Sequence, residues 1–286
     1  MDKGSVTLVP WKYTEEYYRE YTRTTWNESA EAYVRFMALL APFRSALVEA
    51  LASQPGERVL DLGTGPGEPA LTIARRVGPT GDVLGIDLSE KMVALAGRNA
   101  REREIRNVEF RTMDCAKLEL KDGSFDAVVS NFGFQIFTDP EAAAREAHRV
   151  LAPHGRIAVT VWPSGDRVPF LHAIVGPMLS HAEPDETGYI PTPYETGGPG
   201  EMIAFLSSAG FRDGEERRVS TTVHLPDADA YLDTVLKGTP LGHSLSEETA
   251  EVQREVLRDT RERLAQYTTG DGVTLPAECV LVTARF

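Results

Sequence analysis

Cysteine is nearly absent: Cys115 and Cys279 are the two in a chain of 286 residues. Two thiols so far apart build neither a disulfide framework nor a cysteine-based metal site. His, Asp and Glu show no metal-ligand spacing either, so no metal is expected. No apolar run approaches the roughly 18 residues needed to cross a bilayer. Met1 to Trp11 has neither the basic segment nor the apolar stretch of a secretory leader. Positive charge is in deficit, with 30 Lys and Arg against 43 Asp and Glu and a net charge of −13. Such a chain repels phosphate backbones, which argues against nucleic acid as a partner. The Arg-rich stretch Arg98 to Arg106 is interleaved with Glu102 and Glu104 and reads as a solvated helix face. A cytoplasmic protein, with a homodimer as one admissible assembly, fits these deficits.

What is present is globular: 42% hydrophobic and 26% charged residues. Tyr13 to Ser53 reads as helical and is rich in aromatics, with Pro42 dividing it into at least two helices. Strand and helix signals then alternate. Arg58–Leu62, Val83–Ile86, Val108–Met113, Phe125–Ser130 and Arg156–Trp162 are strand-like, joined by helices over Glu68–Val77, after Ser89, and over Glu141–Leu151. Continuous apolar runs joined by helices predict a parallel sheet covered on both faces, a doubly wound α/β fold. Residues 163–200 break the pattern and read as an insertion with a short helix near Val168–Ser180. Beyond it come a helix at Met202–Ala209, a strand at Arg217–His224, a long charged helix over Ser244–Tyr267 and a last strand at Glu278–Phe286.

One loop carries chemistry. Val59-Leu60-Asp61-Leu62-Gly63-Thr64-Gly65-Pro66-Gly67 ends a strand in an acid and turns through glycines into a helix. Such a turn lets backbone approach a ligand closely, although a plain strand–helix turn looks alike. A dinucleotide fingerprint would put a third glycine where Glu68 stands, and a carboxylate there repels a pyrophosphate. The ligand is better a nucleoside without phosphates that carries an ammonium, which Asp61 would attract directly or through water. Asp87 ends the second strand about twenty residues on, where an acid accepts ribose hydroxyls. Asp114 follows the third strand and is placed to read an adenine amine, with Leu88, Met92 and Cys115 around the ring. Asn131 and Phe132 end the fourth strand. Ligands on open α/β sheets sit at these carboxyl ends, so the candidates share one rim.

These blocks resemble the class I (Rossmann-like) S-adenosylmethionine-dependent methyltransferases, particularly the small-molecule group similar to the enzymes of ubiquinone and menaquinone biosynthesis. The matching segments are Asp61 to Gly67, Gly85-Ile86-Asp87-Leu88-Ser89-Glu90-Lys91-Met92, Phe125 to Ser130 and Glu146 to Gly155, with His154 where that family usually has a glycine. The resemblance covers roughly residues 57–162. It implies a seven-stranded, mostly parallel sheet with the last strand reversed. Around it, residues 1–53 would form a helical lid, 54–162 the cofactor-binding core, 163–215 a substrate cap and 216–286 the strands and helix that complete the core. It implies S-adenosyl-L-methionine as cofactor, held by Asp61, Gly63, Thr64, Gly65, Gly67, Asp87, Leu88, Met92, Asp114, Cys115, Asn131 and Phe132.

The implied reaction moves a methyl group from a sulfonium to O, N or C of a small acceptor. Tyr21, Trp26 and Tyr33 of the aromatic N-terminal segment would offer ring faces or hydroxyls near the sulfonium. Phe132, Phe134, Phe170, Met178, Tyr189 and Tyr194 hint at a hydrophobic or aromatic acceptor. His172 and His181, in the insertion, are the candidate general bases; His148 is read as structural. Two alternatives stand beside this reading. A nicotinamide-dependent oxidoreductase would want the third glycine or a Tyr-x-x-x-Lys pair, and no tyrosine here has lysine four residues on. A nucleoside-binding module without turnover would need no lid.

Overall fold

A computed structural model describes residues 15–163, 167–181 and 197–286. Tyr189 and Tyr194 lie outside the described residues. In chain order the elements are α1 (Glu15–Leu39), α2 (Ala41–Leu51), β1 (Arg58–Leu62), α3 (Ala70–Val77), β2 (Asp82–Asp87), α4 (Glu90–Glu102), β3 (Val108–Thr112), β4 (Phe125–Asn131), α5 (Pro140–Val150) and β5 (Leu151–Val161). They continue with α6 (Pro169–His181), α7 (Glu201–Ser208), β6 (Arg212–Leu225), α8 (Ala228–Gly238), α9 (Leu241–Ser246), α10 (Ala250–Ala265), β7 (Thr268–Thr269) and β8 (Gly272–Arg285).

The sheet runs β3-β2-β1-β4-β5-β8-β6, with β7 paired on β8. Strands β1 to β5 are parallel, and β8 is antiparallel to both β5 and β6. The reversed strand is thus inserted between β5 and β6. The two-residue β7, a hairpin arm too short to leave a period-two signal, raises the count to eight strands. Strand order changes direction between β1 and β4, so the ends of those two strands open a crevice. The central strands earn their place by composition: Val59, Leu60, Leu62, Ala127, Val128 and Val129 are all fully buried.

Local chemistry sets the helix starts. Ser89 caps α4 by accepting the Met92 N–H at 3.1 Å, and Asp139 caps α5 by accepting the Ala142 N–H at 2.8 Å, ahead of Pro140. Pro42 stands in the first turn of α2, and the chain breaks from α1 at Leu40, as the proline requires. The expected single helix over Ser244–Tyr267 is two, α9 and α10. Thr249 restarts the chain by capping α10 through the Val252 N–H at 3.3 Å. Strand β5 starts five residues earlier than Arg156. His154 there sits at φ 69°, a left-handed turn that glycine takes without cost, which is the physical reason a glycine suits the position.

Helices α1, α6, α8, α9 and α10 share one apolar cluster with Phe43 of α2. Phe36 and Phe43 of the N-terminal helices meet Phe170 of α6, Tyr231 of α8 and Val256 of α10. Tyr231 donates its buried hydroxyl to the Phe170 carbonyl at 2.6 Å. No helix among the described residues is long and apolar enough to cross a membrane.

Candidate active site

A cleft with about 680 Å³ of empty space, part of it open to solvent, lies at the carboxyl ends of β1 to β4, beneath α1. The β1 loop supplies its floor. Gly63 and Gly65 sit at φ 70° and 54°, the left-handed region that favours glycine, and both line the cavity. The loop is tied to the next strand: the Gly65 N–H donates to Asp87 Oδ2 at 2.8 Å, and the Ser89 N–H donates to Asp87 Oδ1 at 2.9 Å. Each oxygen keeps acceptor capacity toward the cavity that Asp87 lines. Burial pushes the Asp87 carboxyl above its ordinary range, and these backbone donors partly restore it.

The rest of the rim comes from Leu88 before α4, Met92 in its first turn, Asp114 and Cys115 after β3, Asn131 at the end of β4, and Phe132 and Gly133 after it. Asp114 accepts the Ala116 N–H at 2.9 Å through Oδ1 and faces Arg19 Nε of α1 at 2.9 Å through Oδ2. Burial, with Asp87 and Asp114 nearby, pushes the Cys115 thiol well above its ordinary value, so it stays protonated. From α1, Thr22, Trp26 and Tyr33 close the cavity, with the Trp26 and Tyr33 rings edge to face at 5.0 Å. Phe132 holds φ 60°, uncommon for a residue with a side chain, and stacks on Trp162 at 4.1 Å.

Several expected residues stand elsewhere. Asp61 is fully buried beneath the loop, not on the cavity wall. Its Oδ2 accepts the Thr64 hydroxyl at 2.7 Å and the Ala70 N–H at 3.2 Å. Asp61 and Thr64 therefore brace the loop and the start of α3. Gly67 faces the packing side: a Cβ there would meet Leu71 and Ala96 at 3.0 and 3.2 Å. Tyr21 directs its hydroxyl to Ser244 at 2.9 Å and its ring to His243, away from the cavity. Both base candidates fail to reach it. His181 faces Glu255 at 3.8 Å, and His172 lies on α6, where its carbonyl accepts from Arg263 at 3.4 Å. Phe134 packs on Phe137 and Phe205, and Phe170 on Phe36 and Tyr231, so both are core. Met178 packs against the same apolar cluster as Phe170. Sequence reasoning missed Ile136, Phe137 and Thr138, which line the cavity from the turn after β4. Gly133 was the available signal, since a Cβ there would fall within 2.6 Å of the Phe137 ring.

Residues 53–174 match the family model described as a methyltransferase domain. The chain is also 30% identical over 257 residues to nocamycin O-methyltransferase of Saccharothrix syringae, covering 85% of this chain and 90% of that protein. The chain belongs to the S-adenosylmethionine-dependent methyltransferases. This methyltransferase is further 43% identical over 120 residues to demethylmenaquinone methyltransferase of Thermus thermophilus, a match to 42% of this chain and about half, 53%, of that protein. In fold it is similar to the YcgJ protein of Bacillus subtilis, at TM-score 0.59 and 18% identity, over 85% of this chain and 97% of that one. The methyl donor is S-adenosylmethionine and the acceptors typical of the family are small molecules, which sets aside the nicotinamide-dependent and non-catalytic alternatives.

Proposed function

We propose that the cavity beneath α1 is where this methyltransferase joins its donor to a small, hydrophobic or aromatic acceptor. The observation that carries the reading is Asp87: a carboxylate locked by the Gly65 and Ser89 amides with its remaining acceptor capacity on the cavity wall. The residues fit the donor. Asp87 suits the ribose hydroxyls, Asp114 with Leu88, Met92 and Cys115 suits the adenine, and the glycine loop admits the amino-acid end. When bound, S-adenosylmethionine supplies a methyl carbon already activated by its sulfonium. The protein's contribution is alignment and exclusion of water. Phe132, Trp26 and Tyr33 supply apolar and aromatic walls on the acceptor side. Trp26 and Tyr33 also put ring faces near the expected positive charge.

We read residues 1–53 as a lid, 54–162 as the donor-binding core, 163–215 as a cap and 216–286 as completing the core. The placement of Thr22, Trp26 and Tyr33 over the cavity supports the lid. We further read the protein as cytoplasmic, without a nucleic-acid partner, consistent with a net charge of −13. Tyr17 and Val34 are the exposed large hydrophobics among the described residues, so a homodimer would bury a largely polar surface.

The deciding experiment is calorimetric titration of S-adenosylmethionine into the wild type and into Asp87→Ala. Micromolar binding that the variant loses supports the reading. Equal binding by both proteins places the donor elsewhere.

A further inference from the structure

The cavity holds a buried donor with no partner. Asn131 is 6% exposed and lines the wall, and its Nδ2 meets no acceptor. Its orientation is set by Thr160, its register partner on β5. Thr160 Oγ1 accepts the Phe132 N–H at 3.1 Å, and its one proton goes to Asn131 Oδ1 at 2.8 Å. The amide oxygen is thereby consumed on the β5 side and the NH₂ group is left over. A buried donor without a partner is costly to keep, and Asn131 is the residue on the cavity wall that carries one.

The ligand's side of the cavity is also legible. The residues suited to the nucleoside come from the ends of β1, β2 and β3. Asn131 leans the other way, toward β5, beside the Phe132 and Trp162 stack, against which Phe43 sets its ring edge. Phe132 lines the cavity there beside Asn131, and the Trp162 and Phe43 rings back it.

Among the described residues, no proton acceptor stands ready to activate a neutral nucleophile there. All six histidines of the chain are among the described residues, and none lines the cavity. Nor do Lys, Arg or Glu among the described residues. Asp87 and Asp114 line the cavity but are assigned above to the ribose and the adenine of the donor.

We propose that Asn131 Nδ2 binds an acceptor that arrives as an oxyanion, a carboxylate or an acidic enolate on a flat apolar body. This rests on the donor site proposed above. A lone pair of the acceptor oxygen forms the new O–C bond to the methyl carbon, the C–S bond breaks, and its electron pair stays on sulfur. No proton moves, so no base is needed. The positive sulfonium offsets the nearby carboxylates, and the Asn131 N–H makes a charge-assisted bond to the incoming oxygen. Thr160 is a positioning residue that acts through Asn131.

The test uses the full chain saturated with sinefungin, whose ammonium replaces the sulfonium charge. Calorimetry then compares 1-naphthoate with its neutral counterpart 1-naphthamide, in wild type, Asn131→Leu and Asn131→Asp. The wild type is expected to prefer the anion by about 10-fold or more, the scale of one hydrogen bond to a charged group. Asn131→Leu erases the preference. The near-isosteric Asn131→Asp repels naphthoate, which keeps the test decisive should the leucine variant fold poorly. Equal affinity for the two probes, or no naphthoate binding, overturns the proposal with the donor site intact. Loss of sinefungin affinity in Asn131→Leu also overturns it, by placing Asn131 on the donor. Failure of the wild type to bind sinefungin removes the donor site and the proposal together.

Discussion

Asp61 shows how a single buried carboxyl links loop shape to pH. Burial pushes it up to about 7, against the opposing bonds from Thr64 and Ala70, and its Oδ1 has no partner. The unfolded chain releases this proton near the ordinary aspartate value of about 3.9 while the native state still holds it. Stability is therefore expected to fall as pH rises from about 4 to 7 and then to level, by an amount on the order of a few kcal/mol. Urea unfolding of the ligand-free protein across that range, beside Asp61→Asn, checks this; a variant with an unchanged slope would count against it. The sequence drew attention to Asp61 because an acid precedes the glycines. Spacing could not say whether the side chain faces the ligand or the loop, since that depends on Thr64 and the α3 amides closing over it. A second residue-scale expectation concerns Asp87→Asn. It keeps the side-chain shape but weakens the anchor of Gly65 and the proposed acceptor for ribose, and affinity for S-adenosylmethionine should drop about 10- to 100-fold in an isothermal titration.

At the scale of elements, α1 is held over the cavity by polar ties to the core. Arg23 reaches Glu90 at 2.7 Å, Arg98 reaches Glu31 at 2.9 Å, and Asn27 Oδ1 accepts the Ser89 hydroxyl at 2.6 Å. Exposed pairs of this kind stabilise little and weaken with salt. Replacing Arg23 and Arg98 together by alanine should expose α1 to limited proteolysis while barely moving the global unfolding midpoint. A midpoint that falls with the same cooperativity as the protease sensitivity would show that α1 does not open separately. Ser89→Ala loses both the α4 cap and the Asn27 tie, and a cap alone is worth about 1 kcal/mol. The strands and helices of the central unit were legible in sequence, apart from the start of β5 and the first residues before α3. The α9–α10 break was not, because Thr249 is one polar residue in a charged stretch and becomes a boundary only through its bond to Val252.

For the whole molecule, the sheet order brings the ends of β1, β2, β3 and β4 to one rim, and anything bound there ties separate parts of the chain together. Donor at one hundred times its dissociation constant should add about 2.7 kcal/mol to the unfolding free energy. Thermal melts with and without S-adenosylhomocysteine read this directly, and an unchanged midpoint would deny binding to the native state. With a net charge of −13, the protein should not be retained on immobilised duplex DNA at physiological salt, and size exclusion at two concentrations tests for a homodimer.

The fold class and the donor were already written in local patterns. Apolar runs of strand length, glycines after an acid-ended strand and an acid at the end of the next strand are short-range features, and their meaning survives without coordinates. The proposed acceptor side was not local. It rests on Asn131 meeting Thr160 of β5, on Phe132 stacking against Trp162, and on α1 folding back with Trp26 and Tyr33. The two histidines that seemed able to act as bases, His172 and His181, were plausible by position in an insertion. Packing of α6 against α10 carried both of them off the cavity wall, because which way a helix turns its side chains depends on the apolar surface it must bury, and that surface belongs to distant parts of the chain.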